Sequence, residues 1–197
     1  MEVIMRQETV GVTENLLKSA TEEFLEKGFM NASLRNISAK SGVSTNSIYT
    51  RFKDKEGLFS AIVKETADGL MEIYLDSIQK ATYSPDLNQA NHEGEEGTDF
   101  VLEYIYQHFT DFKLIFCCST GSQYEYFLDR LGEIEESYYQ ELVGKYGKAG
   151  YTVDRFFIHV FCRAGWQTMY ELVAHDCSYK EAQSFMNSTK LFNVAGW

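Results

Sequence analysis

An all-α fold is what this sequence predicts, and three observations carry the prediction. Pro85 is the single proline in 197 residues, so long helices meet almost no obstacle from a ring that removes an N–H and fixes φ. Clusters of turn residues are scarce, which disfavours a sheet built on many hairpins. Apolar side chains recur at three- and four-residue intervals along much of the chain, the period of a helix buried on one face. With 44% apolar residues, a chain of this length buries a core without disulfide or metal staples.

Val12, Leu16, Ala20 and Phe24, joined by Leu17 and Leu25, mark an amphipathic helix from Thr9 to Lys27, and Gly28 ends it. Ser33 is placed to cap a short second helix with Leu34 and Ile37 inward, and Gly42 supplies the turn after it. Ser44 can cap a third helix whose buried face is Ile48 and Phe52, with Tyr49 beside it. Asp54 can cap a fourth, with Leu58, Ile62, Leu70, Ile73 and Leu75 as its apolar positions and its end near Lys80. Residues 81 to 97 combine Pro, Asn, Gly and three glutamates and read as a loop.

The remainder is strongly aromatic. Phe100, Tyr104, Ile105, Phe109, Phe112, Ile115 and Phe116 suggest two helices broken near Asp111. Ser122 with Glu125 forms a capping-box pattern for a helix to about Tyr146, and Gly144 to Tyr151 reads as a turn. Thr152 opens a helix through His175, and Ser178 with Glu181 is a second capping box, for a last helix to about Phe192. The expected architecture is a three-helix N-terminal domain, residues 1–53, followed by a bundle of about six helices, residues 54–197.

Charge is unevenly spread. The net charge of −11 arises wholly after residue 60, because residues 1 to 60 carry eight basic and eight acidic side chains. Between Ser33 and Lys55 five basic residues face Asp54 alone, a small positive patch on an acidic body. The sequence shows neither an 18-residue apolar run nor a secretory leader pattern, so a cytoplasmic location without membrane contact is expected. The four cysteines, 117, 118, 162 and 177, lack metal-ligand spacing and read as small buried hydrophobes in a reducing compartment. No metal or cofactor is expected.

Two short helices joined by a glycine turn, the second with polar tips outward, form a helix-turn-helix suited to the DNA major groove. With Ile48 and Phe52 inward, Thr45, Asn46 and Thr50 face outward, and short polar side chains reach base edges there. Arg51, Lys53, Lys55 and the Tyr49 hydroxyl would border the phosphates. The same shape also serves as a structural corner, and Tyr49 or Lys55 could be core and solvated charge instead. Asn46 is the sharpest candidate, since asparagine pairs bidentately with adenine.

The segment SLRNISAKSGVSTNSIYTRFKDKEGLFSAIV, Ser33 to Val63, preceded by LLKSATEEFLEKGF, closely resembles the DNA-binding domain of the TetR family of bacterial transcriptional regulators. The matching positions are Phe24, Gly28, Phe29, Ile37, Gly42, Val43, Ser44, Ile48, Tyr49, Phe52, Lys55 and Leu58. The resemblance implies a homodimer that binds a double-stranded operator and a small-molecule effector. By position it puts Ser44, Thr45, Asn46, Tyr49 and Thr50 at the operator, and Ser33, Arg51 and Lys55 at phosphates. Thr45, Asn46 and Ser47 depart from the family's frequent Lys-Gly-Thr, Arg51 from its His and Ser38 from its Ala, so the operator sequence does not follow.

Fourteen Phe and thirteen Tyr, most of them in the body, offer walls for a flat or hydrophobic ligand. Candidate lining residues are Tyr74, His108, Phe112, Phe116, Tyr124, Phe127, Phe161 and Arg163, each also readable as ordinary core. The helix around Phe156 to Val173 is apolar on most of its circumference and, with the last helix, suits a dimer interface across a two-fold axis. The rival readings are a helical enzyme and a protein-binding adaptor. For the enzyme only Glu171 and His175 offer metal-ligand spacing, with no second pair to complete a site.

Overall fold

A computed structural model describes residues 10–147 and 152–195. Nine helices follow one another among the described residues, with no strand. α1 (Val10–Asn31), α2 (Leu34–Ser41) and α3 (Thr45–Phe52) form an N-terminal head. α4 (Lys55–Thr82), α5 (Leu87–Gln107), α6 (Phe109–Cys117), α7 (Phe127–Tyr146), α8 (Arg155–Ala174) and α9 (Tyr179–Ala195) form the body. The 28-residue α4 is the axle: it packs on α1 and α3 near its start and on α5, α6 and α7 farther along. One continuous core runs from Leu16, Phe24, Ile37 and Ile48 in the head through Phe59 and Leu70 to Phe112, Leu131 and Trp166.

Several expected caps are in place. Ser44 Oγ accepts the Ser47 amide at 3.1 Å, Asp54 Oδ1 the Gly57 amide at 2.8 Å, and Ser178 with Glu181 closes its capping box in both directions. Other expectations need correction. The stretch 81–97 is a loop only at its start: Asp86 caps α5 by accepting the Gln89 amide at 3.0 Å, and Ala90 and Gly97 are buried. Gly97 permits this packing because a Cβ there would lie 2.7 Å from Ser77 Cβ on α4. The composition therefore reflects close helix contact on one face and solvated carboxylates on the other. The break between α5 and α6 falls at His108 (φ −118, ψ 37), ahead of Asp111.

Ser122 and Glu125 do not cap α7, which starts at Phe127. Ser122 Oγ accepts the Tyr124 amide and Glu125 the Gly121 amide, so both residues stabilise a turn instead. Asp154, accepting the Phe156 and Phe157 amides at 2.7 and 3.2 Å, opens α8 in place of Thr152. α1 bends at Gly28 (φ 69, ψ 161) but continues one turn to Asn31. Leu75 is exposed on α4. Of the expected turn from Gly144 to Tyr151, the first three residues are helical and 148–151 lie outside the described residues, as does Thr9. Only Cys162 among the four cysteines is fully buried, the others half-buried, because they sit at helix ends.

Candidate nucleic-acid interface

The sequence of α3 decides which of its faces points outward. Ile48 is fully buried and Phe52 half-buried against the head's core, so Asn46, Tyr49, Thr50 and Arg51 are exposed and Thr45 is half-exposed. Tyr49 leaves 54% of its surface open, which settles the choice between core and surface for this ring. Thr50 Oγ1 donates to the Asn46 carbonyl at 2.8 Å, leaving its lone pairs and methyl group outward. Arg51 Nη1 donates to Thr13 Oγ1 at 2.9 Å, which draws the guanidinium toward α1.

Three groups hold α3 in place from behind. Gly42 adopts φ 71, ψ 6 in the turn between α2 and α3, a left-handed conformation that side chains disfavour, and its amide donates to the Ser38 carbonyl at 3.0 Å. Asn15 Nδ2 donates to the Ser41 carbonyl at 3.0 Å and ties that turn to α1. Gly57, in the first turn of α4, lies so close to the end of α3 that any Cβ there would overlap the Phe52 carbonyl.

Two expected phosphate contacts sit differently from a free surface cation or hydroxyl. Lys55 Nζ donates to the Met30 and Ala32 carbonyls at 2.9 and 3.2 Å and lies 4.8 Å from the Phe29 ring centre, closing the end of α1. Ser33 makes no side-chain cap. Its amide donates to Glu23 Oε1 at 3.2 Å, alongside Asn36 Nδ2 at 3.0 Å, while Lys40 Nζ reaches Oε2 at 3.3 Å. Burial pushes the Glu23 carboxyl up, but the bonds from Asn36, Ser33 and Lys40 outweigh it and hold the pKa below the usual carboxylate value. Glu23 thus caps α2 from α1, a role that sequence reasoning missed because it joins positions ten apart across a turn.

A second cluster, also missed, lies where the head meets the body, with one main-chain bond crossing between them among the described residues. The Phe29 amide donates to the Cys118 carbonyl at 2.7 Å, Tyr124 and Ser60 hydroxyls meet at 2.9 Å, and Gln123 bonds both Ser60 Oγ and Glu56 Oε1. Phe24, Phe29, Phe59 and Tyr124 stack behind these bonds with ring centres 4.9 to 6.0 Å apart.

The eight candidate ligand residues fall into several groups, and His108, Phe112 and Phe116 are joined through the Tyr104 ring. Phe112 and Phe116 pack with each other, Tyr74 with Trp166, Phe161 with Tyr139, and His108 with Tyr104, while Phe127 lies under Arg130. Tyr124 belongs to the head contact, and Arg163 is tied to Asp129 and Glu133 of α7. A hollow of about 420 Å³ between α4 and α5, and a wider one of about 900 Å³ beside Arg51, Lys64 and Glu72, contain none of the eight. Nearer the centre of the body, the Tyr74 hydroxyl and Trp166 Nε1 are buried together beside Glu135, their rings edge to face with centres 5.0 Å apart.

Residues 16–62, spanning α1 to the start of α4, match the family model for bacterial regulatory proteins of the tetR family. That stretch is similar to the TetR-family DNA-binding domain. The TetR likeness in fold extends along the whole chain. A TetR-family transcriptional regulator from Syntrophomonas wolfei str. Goettingen superposes with a TM-score of 0.60 at 21% identity, covering 90% of this chain and 92% of the other. A TetR-like regulator from Rhodococcus sp. RHA1 gives 0.58 at 18% identity, over 94% and 97%. FadR from Bacillus subtilis, in complex with stearoyl-CoA, gives 0.57 at 17% identity, over 89% and 94%. At these identities the similarity establishes the fold alone.

Proposed function

We propose that this TetR-family chain is a dimeric repressor that holds a palindromic operator through α3 and releases it when a small molecule binds the body. Residues 1–53 form the DNA-binding domain and 54–197 the effector and dimerisation domain. The observation that carries the reading is the α3 face: Asn46, Tyr49 and Thr50 stand outward on a helix whose opposite face is anchored by Ile48. Asn46 reads a base edge, and Thr45 and Thr50 supply short polar and methyl contacts. Ser44, Tyr49 and Arg51 lie toward phosphates. Lys55 and the Ser33 amide keep α1 and α2 in register and contribute to the phosphate field from behind.

Dimerisation is assigned to α8 and α9. Phe156 and Val160 on α8 leave 73 and 48% of their surfaces exposed, and Phe185, Leu191 and Phe192 on α9 leave 49, 73 and 79%, apolar surface that a partner would cover. Pairing this face with its two-fold mate would set two α3 helices on one side of the duplex, matched to half-sites about 34 Å apart. Effector binding acts on α4 and the Phe29–Cys118 contact, spreads the heads and ends their simultaneous engagement. Among the described residues no helix is long and apolar enough to cross a membrane, and a cytoplasmic place of action follows from the DNA partner.

The test is a gel-shift and anisotropy titration of the full chain on a fragment of its own promoter. Binding should be steeply weakened by salt, as phosphate neutralisation requires. Unchanged affinity after Asn46→Ala and Tyr49→Phe together overturns the assigned surface.

A further inference from the structure

Glu135 differs from its acidic neighbours on α7. Asp129 and Glu133 are tied to Arg163, and Glu136 to His159. Among the described residues no basic side chain pairs with Glu135, which stands on the same face of α7 as the fully buried Leu131 and as Tyr139, each one turn away. Cys162 and Trp166 of α8, also one turn apart and 1 and 6% exposed, lie next to it. From α4 comes Tyr74, whose ring meets Trp166 edge to face. A Cβ on the exposed Gly165 would find Glu135 Oε2, at 3.9 Å, as its nearest neighbour outside α8. One carboxylate oxygen thus faces a gap that the glycine leaves in the surface of α8.

We propose that Glu135 is the charge-recognising residue of a site for an apolar organic cation, with Tyr74, Tyr139 and Trp166 as aromatic walls. The site rests on the effector reading given above and makes that effector a cation, a quaternary ammonium compound being the representative chemistry.

A carboxylate drawn out of water without a counter-charge is costly, and a bound cation removes that cost. Aromatic faces attract the same cation through their quadrupoles, most strongly where water is excluded. A single carboxylate among rings suits a bulky organic cation, whereas a metal ion needs several ligand atoms at one point. Among the described residues no three acidic, His or Cys side chains gather in that way. An anionic ligand would meet Glu135 at close range and be repelled. A guest seated here bears on Tyr74 and so on α4, the helix that holds Phe59 against Phe24 and Phe29 of the head.

The test uses the full chain carrying Trp197→Phe, which leaves Trp166 as its single indole. The probe is benzyltrimethylammonium and the control neopentylbenzene, its uncharged carbon isostere. At pH 8, above the value of about 7 to which burial raises the Glu135 carboxyl, Trp166 fluorescence should report one saturable site for the cation. The isostere should bind about tenfold more weakly or worse. Glu135→Gln should abolish the preference and Glu136→Gln retain it, with melting checked for both. Calorimetry on the unsubstituted chain reads the same preference without any variant. No saturable binding, equal affinity for the two compounds, or a preference that survives Glu135→Gln overturns the site. In a second arm, saturating cation should lower promoter affinity about tenfold or more, and should fail to do so in Glu135→Gln. Cation binding that leaves DNA affinity intact overturns the effector role. Absence of DNA binding before the cation is added counts against the repressor reading, while the fluorescence titration still decides the site.

Discussion

Glu23 on α1 caps α2 through the amide of Ser33, 3.2 Å away, and is almost completely buried while doing so. One carboxylate thereby fixes the angle between the first two helices of the head, and with it the platform on which α3 rests.

Replacing Glu23 by Ala should destabilise the fold by about 2–3 kcal/mol, the scale of a lost charge-assisted bond that leaves buried donors unpaired. Its pKa is lower folded than the ordinary 4.5, so its contribution is complete above that value and lost as pH falls through the folded pKa. Urea titrations of wild type and Glu23→Gln below pH 4.5 should converge.

Glu135 gives a pH dependence of opposite sign in a different window. Burial raises its carboxyl from 4.5 to about 7. Its folded pKa lies above the unfolded one, so stability is greatest below 4.5 and declines as pH rises toward 7. Melting temperatures of Glu135→Gln across this range should lose that decline.

Asn46→Ala and Ile48→Ala should separate recognition from folding although the two positions are only two residues apart, on opposite faces of α3. The first should weaken operator binding by about 1–3 kcal/mol with melting unchanged. The second should cost about 2–5 kcal/mol of stability and abolish binding as a consequence. Paired anisotropy and thermal-melt measurements distinguish them.

Gly57→Ala should impair DNA binding without touching DNA, because the added methyl displaces the Phe52 carbonyl at the end of α3. A stability loss of about 1–3 kcal/mol is expected for overpacking of this kind, with a further drop in operator affinity. Native-like affinity in a folded Gly57→Ala protein would show that α3 tolerates the shift.

Phe185→Glu combined with Leu191→Glu should yield a monomer by light scattering and leave each head folded. Affinity for a two-half-site fragment should then fall toward that for a single half-site.

The sequence by itself determined the head almost completely: the glycine turn at Gly42, the caps Ser44 and Asp54, and the split of α3 into an Ile48 face and an Asn46 face. These features are local, set by backbone conformations and by a period of 3.6 residues, so they can be read within one or two helical turns. Tertiary structure alone decided that Glu23 caps α2, that 87–97 is helical against α4, that Lys55 closes α1, and which candidate ligand residues stand together. Those outcomes join residues ten to ninety positions apart, and their energy comes from burial and shared hydrogen bonds that exist only after the helices have packed.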